Sequence, residues 1–146
     1  MSKLGESLAC YEDAMKSRAF LAVLTALFAA TPALAQSPIE GLWTNPKRSV
    51  VVRIAPCGPA WCGRVVKASA HEEEKAARHG VENLEGEQML TGLRPAGAGK
   101  WKGQVYVPKI RSKVGSTVTM KSPGRMSVSG CFAGIICKTQ VWTKVG

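Results

Sequence analysis

Aspartate is nearly absent from this sequence: of 146 residues only Asp13 is one, and it precedes the first apolar run. A Ser-His-Asp relay therefore lacks its orienting carboxylate in the rest of the chain. Histidine is almost as scarce, with only His71 and His79. Helical zinc sites place histidines four apart, as in H-E-x-x-H, and His71-Glu72-Glu73-Glu74-Lys75 fails at its last position. No serine stands in a G-x-S-x-G elbow. Gly97-Ala98-Gly99-Lys100-Trp101 lacks the spacing of a phosphate loop and suits a tight turn. No apolar run reaches the roughly 20 residues that a membrane-spanning helix needs. These absences leave no residues for an enzymatic reading, so the expectation is a non-catalytic protein without metal, cofactor or transmembrane segment.

What is present begins with a leader. From Met15 the chain reads Lys16 and Arg18, an apolar run from Ala19 to Ala30, then Ala33-Leu34-Ala35 before Gln36. A basic start, a short apolar stretch and an A-x-A site form a secretory signal peptide. We expect cleavage between Ala35 and Gln36 and a periplasmic or secreted product. Residues 1–14 carry Glu6, Glu12 and Asp13, which a signal-peptide start normally lacks, so they read as a mis-assigned or extended N-terminus. The expected organisation is 1–14 as that extension, 15–35 as signal peptide and 36–146 as one domain.

Past the leader remain Cys57, Cys62, Cys131 and Cys137. An even count in a small exported domain reads as a disulfide framework. Four cysteines allow three connectivities, and the sequence alone does not choose among them. Each close pair, in CGPAWCG and CFAGIIC, flanks a short turn between expected strands, which predicts two local bridges. Their spacings are wider than the C-x-x-C of thiol oxidoreductases and of zinc knuckles, so a structural role is expected.

Alternating apolar residues punctuated by turn residues predict short strands at 39–44, 50–55, 63–67, 88–92, 100–107, 116–120, 126–129 and 139–145. Ser69 with Glu72 forms a capping box, and Arg78, His79 and Gly80 suit a C-terminus, predicting one short helix near residues 70–79. The expected fold is all-β, a small antiparallel barrel of about eight strands. Val50, Val52, Ile54, Val65, Val105, Val118 and Val128 are its expected inward positions, of a size that permits either a filled interior or a ligand.

Three stretches, GLWTNPKRSVVVRIAPCGPAWCGRVVKA, MLTGLRPAGAGKWKGQVYVP and VSGCFAGIICKTQVWTKV, resemble the bacterial family called domain of unknown function 2147, in order and over nearly all of residues 36–146. The segment KIRSKVGSTVTM departs from that family's frequent Gly-Lys-Thr-Tyr element. The resemblance implies a small exported protein with a lipocalin-like barrel and carries no established activity. Gly41-Leu42-Trp43, with Lys144 near the end, is similar to the Gly-x-Trp and cation that close such barrels. A plainer role for Trp43 and Trp142, as core residues at two ends of a sheet, stands beside it.

Charge is the remaining signal. Residues 36–146 hold 17 Lys and Arg against 7 acids, and Glu72, Glu73, Glu74, Glu82, Glu85 and Glu87 supply six of those acids. Every other charged residue in that span is Lys or Arg except Glu40. Such a field attracts polyanions. In the envelope these are lipid headgroups, lipopolysaccharide or acidic polymers rather than nucleic acid. Lys100, Trp101, Lys102, Lys109, Arg111 and Lys113 form the densest cationic run, a candidate anionic contact with Trp101 at a headgroup interface; the plainer and favoured role is the solvated faces of a hairpin, where lysines protect strands from edge pairing. The two expected partner classes are thus a lipophilic small molecule inside and an anionic envelope component outside.

Overall fold

The computed structural model describes residues 36–146; the leader, its cleavage site and Cys10 lie outside them. Eight strands form a closed antiparallel barrel in sequence order. They are β1 (Gly41–Thr44), β2 (Val50–Cys57), β3 (Ala60–Ala68), β4 (Gln88–Pro95), β5 (Lys100–Val107), β6 (Ser112–Ser122), β7 (Arg125–Phe132) and β8 (Ile136–Lys144). Helix α1 (Ala70–Ala77) stands between β3 and β4, and a 3₁₀ turn (Pro108–Ile110) joins β5 to β6. The up-and-down order gives the barrel a rim, where α1, the 3₁₀ turn and the β1–β2 and β7–β8 turns lie. The chain ends and the other turns lie at the opposite base.

Strand alternation builds the wall. In β5, Trp101, Gly103 and Val105 face inward while Lys100 and Lys102 stay in water. In β2, Val52 and Ile54 are buried and the intervening Arg53 is exposed. All seven expected inward residues join the core or pack against it. Gly103 is required where β4 bulges toward β5: a Cβ there would meet the Thr91 carbonyl oxygen at 2.6 Å.

The expected strands all form, but six extend further: β2 runs on to Cys57 and β4 to Pro95. β3 starts at Ala60, β6 at Ser112 and β8 at Ile136, and β7 runs on to Phe132. Glycines, lysines and a proline near these ends are weak strand formers, and pairing with a neighbour overrides them. The Gly58–Pro59 and Pro123–Gly124 connections are therefore only two residues long. β1 is shorter than expected, because a turn from Ser37 to Glu40 precedes it.

Both disulfides are local. Cys57 pairs in the ladder with Ala60, and Cys62 with Ala55, so the first bridge runs diagonally over a Cα separation of 5.7 Å. Cys131 and Cys137 are direct cross-strand partners, with their Cα atoms 4.0 Å apart.

The acidic segment is a strap over part of the rim. Ser69 caps α1 by accepting from the Glu72 amide at 3.3 Å. The Glu73 carboxylate accepts from the amides of Leu84 and Glu85 at 2.7 and 2.9 Å. Glu85 accepts from the Ala68 amide, Glu72 accepts from the Ser49 hydroxyl, and Arg64 donates to the Gly86 carbonyl. These bonds hold Ala76, Val81 and Leu84 down on the core, where all three are buried.

At the base, β1 meets β8 through Trp43 with Lys144 and Thr44 with Thr143. Backbone bonds between Leu42 and both Val145 and Gly146 extend this seam downward. The Trp43 indole is fully buried and donates to the Ile39 carbonyl at 2.8 Å. The Lys144 ammonium lies 5.5 Å from its ring centroid, at cation–π range. Trp142 is buried in the same core.

Candidate functional site

The barrel interior changes character from base to rim. Trp43, Val52, Ile54, Leu90, Leu93, Val118 and Met126 have no exposed surface at all. They pack against one another as a single hydrophobic core. Toward the rim the inward positions open. In β7, Met126 and Val128 are buried, Gly130 is half-buried and Phe132 is exposed. In β8, Trp142 is buried while Gln140, Lys138 and Ile136 are exposed on the same face. Val105 and Val107 in β5 are half-buried.

This opening follows from the shortness of β1. Above Thr143, β8 pairs with β7 alone among the described residues, because β1 has already turned into Asn45. The result is an apolar mouth at the rim, on the side of β7 and β8. Phe132 and Ile136 are its exposed apolar members, and Lys138 and Gln140 its polar ones. Gly130, the ladder partner of Lys138, closes the floor of this mouth against Val105, whose Cγ1 would lie 2.9 Å from a Cβ at that position. The Trp142 indole N–H donates to Gln140 Oε1 at 3.1 Å, which orients that amide.

Concavities among the described residues also lie outside the barrel. One, of about 600 Å³, crosses the outer wall of β5, β6 and β7 and is flanked by Lys102 and Lys113. Another, of about 440 Å³, lies at the base between Pro38, Met120 and Lys144.

The cationic run is not one patch. Lys100 starts β5 at the base, whereas Lys109, Arg111 and Lys113 gather at the rim. Arg111 is committed to structure, donating from Nε to the His79 carbonyl at 2.8 Å. Only Lys102 and Lys113 border a shared concavity. Trp101 corrects the sequence expectation: it is 6 % exposed, packed in the barrel core, and cannot sit at a headgroup interface. Its neighbours Lys100 and Lys102 point outward, and strand alternation sends the residue between them inward. The same alternation, read through Gly103 and Val105, was a usable signal for this.

His71 lies exposed in α1, and His79 lies half-buried beyond its end. Among the described residues no three His, Cys, Asp or Glu side chains group as metal ligands. No described helix is long and apolar enough to cross a membrane. Sequence reasoning did not find the mouth residues Phe132, Lys138 and Gln140. Their exposure depends on where β1 stops, which leaves no local mark in β7 or β8.

Comparisons with known proteins agree with this architecture. The Helicobacter pylori protein HP1028, described as belonging to the lipocalin family, superposes with a TM-score of 0.54 at 13 % identity, covering 73 % of this chain and 82 % of its own. That likeness concerns the fold. No curated protein matches the sequence. The profile of the uncharacterised proteins conserved in bacteria known as DUF2147 matches residues 41–144. This span runs from the first residue of β1 to the last of β8, and the chain belongs to that family, here in the form of an eight-stranded lipocalin-like barrel.

Proposed function

We propose that this protein is an exported, non-catalytic binding protein that holds one small lipophilic molecule in the rim mouth of its barrel. The observation that carries the reading is the change along β7 and β8. The same inward face that is sealed at Met126 and Trp142 is open at Phe132 and Ile136. Apolar surface held open to water is a favourable seat for apolar ligand atoms. Lys138 and Gln140 supply a cation and an amide at its edge, which fits an amphiphile with an acidic or polar head. The packed base limits how deep such a ligand can go. Two disulfides support an extracytoplasmic setting, with cleavage after Ala35 as its proposed origin.

The test is a titration of the oxidised protein, recovered from a bacterial periplasm, with palmitate and with 1-anilinonaphthalene-8-sulfonate. Lys138→Trp serves as the blocking variant. A tryptophan at 138, between the exposed Ile136 and Gln140 on the same face of β8, would cover the apolar surface there. Saturable one-to-one binding, lost in Lys138→Trp with an unchanged circular dichroism spectrum, is the expected result. No saturable binding of either probe, or undiminished binding by the folded variant, would overturn the proposal.

A further inference from the structure

The turn that joins β7 to β8 exposes more apolar surface than the barrel requires. Ile135 is 84 % exposed, Ile136 64 % and Phe132 53 %. The turn itself is well made: Ala133 and Gly134 both take left-handed backbone angles, at φ of 51° and 70°. The Ile135 amide donates to the Phe132 carbonyl at 3.1 Å. The Cys131–Cys137 bridge closes the hairpin immediately behind it. Closure therefore does not depend on the apolar side chains, and the bridge holds them in a fixed, projecting arrangement. Preorganisation of this kind lowers the ordering cost of a contact.

The electrostatic surroundings are one-signed. From Gln88 to Gly146, the whole of β4 to β8, the chain has ten Lys and Arg and no acid. The acids sit instead in and beyond α1, where Glu72, Glu73, Glu74 and Glu85 are engaged in internal bonds. Beside the tip, the outer-wall groove of about 600 Å³ is bordered by Lys102 and Lys113 and reaches Phe132, Ala133 and Gly134. Lys102 pairs with Thr117, four residues along β6 from Lys113, so the two lysines stand about 14 Å apart on the wall.

We infer that the β7–β8 hairpin docks this protein on the surface of an anionic phospholipid bilayer. Ile135, Ile136 and Phe132 enter the headgroup region, and Lys102 and Lys113 contact lipid phosphates. A short apolar wedge flanked by lysines combines the two contributions that reversible interfacial binding needs, since neither suffices alone. Pairing of two copies along the free edge of β8 is opposed by charge, because it would bring two acid-free, cationic faces together. The inference does not depend on the mouth holding a ligand: Ile135 belongs to the turn, and Lys102 and Lys113 to the outer wall.

The experiment is co-sedimentation of the oxidised, periplasm-derived protein with vesicles of phosphatidylglycerol and phosphatidylcholine in equal parts, and with vesicles of phosphatidylcholine alone. Binding to the mixed vesicles is expected, weakening as salt rises. Ile135→Asp should lose about tenfold or more in vesicle affinity. Lys102→Gln with Lys113→Gln should lose about fivefold for each lysine. Ile135→Trp should gain a blue-shifted emission component only when mixed vesicles are added. Palmitate binding, if present, should be unchanged in all these variants, which separates failure of this inference from failure of the carrier reading. Absence of vesicle binding, equal binding to neutral vesicles, full binding by Ile135→Asp, or a lipid-independent dimer broken by Ile135→Asp would each overturn it.

Discussion

The packed base of the barrel can be probed at Gly63, which faces inward on β3 and pairs with Leu90 on β4. A Cβ added at Gly63 would lie 3.0 Å from Leu90 Cβ, from Leu90 Cδ1 and from Val52 Cγ1. Carbon atoms prefer separations of about 3.5–4.0 Å, so one methyl group makes three contacts that are each too short by at least half an ångström. Both neighbours are fully buried and cannot swing into water. Overpacking of this kind costs about 1–3 kcal/mol, partly offset by the roughly 0.5–1 kcal/mol that alanine gains over glycine in the unfolded chain. Gly63→Ala should therefore destabilise by about 1–2 kcal/mol. Leu90→Ala empties a closed site and should cost about 3–5 kcal/mol. In the double variant the new methyl enters the space that Leu90 vacates. Its cost should fall below the sum of the two single costs by about 1–2 kcal/mol. Urea denaturation of the three variants, followed by intrinsic fluorescence, measures the cycle. Additivity to within about 0.5 kcal/mol would refute both the Gly63–Leu90 register and the claim that this half of the interior is filled.

Other outcomes follow from the same contacts. Replacing either cysteine pair by alanine releases a loop of sequence separation 5 or 6. Chain entropy sets the loss at about 2 kcal/mol for each, or about 9 °C in Tm for a domain of roughly 110 residues, readable by calorimetry. Glu73→Gln keeps the size of the side chain but removes the charge that accepts from Leu84 and Glu85. It should loosen the strap by about 1–2 kcal/mol, seen as faster hydrogen exchange at those two amides while strands β5 to β7 keep their protection.

Much of the fold was legible because its determinants are local. The Ser69 cap and the alternation in β2 and β5 each act within a few residues. Each therefore leaves a pattern in the string of letters. The bridges belong to the same class, since each cysteine pair spans one turn, although three connectivities were open until the strands were paired. The Lys100-Trp101-Lys102 triplet shows how composition misleads without geometry. Its charge pointed outward, and the pleat of β5 buried the tryptophan.

The sequence by itself determined the elements: strands where apolar residues alternate, turns where glycine and proline punctuate, a helix where a cap precedes good helix formers. Only the tertiary structure decided how the ends meet. Trp43 and Lys144 are a hundred residues apart and touch because the barrel closes. Glu73 is a solvated helix residue by pattern and a clamp on Leu84 and Glu85 in space. The open mouth arises from a length mismatch between β1 and β8, strands from opposite ends of the domain. Such features rest on long-range pairing, whose energy depends on both partners at once, so neither segment read alone contains them.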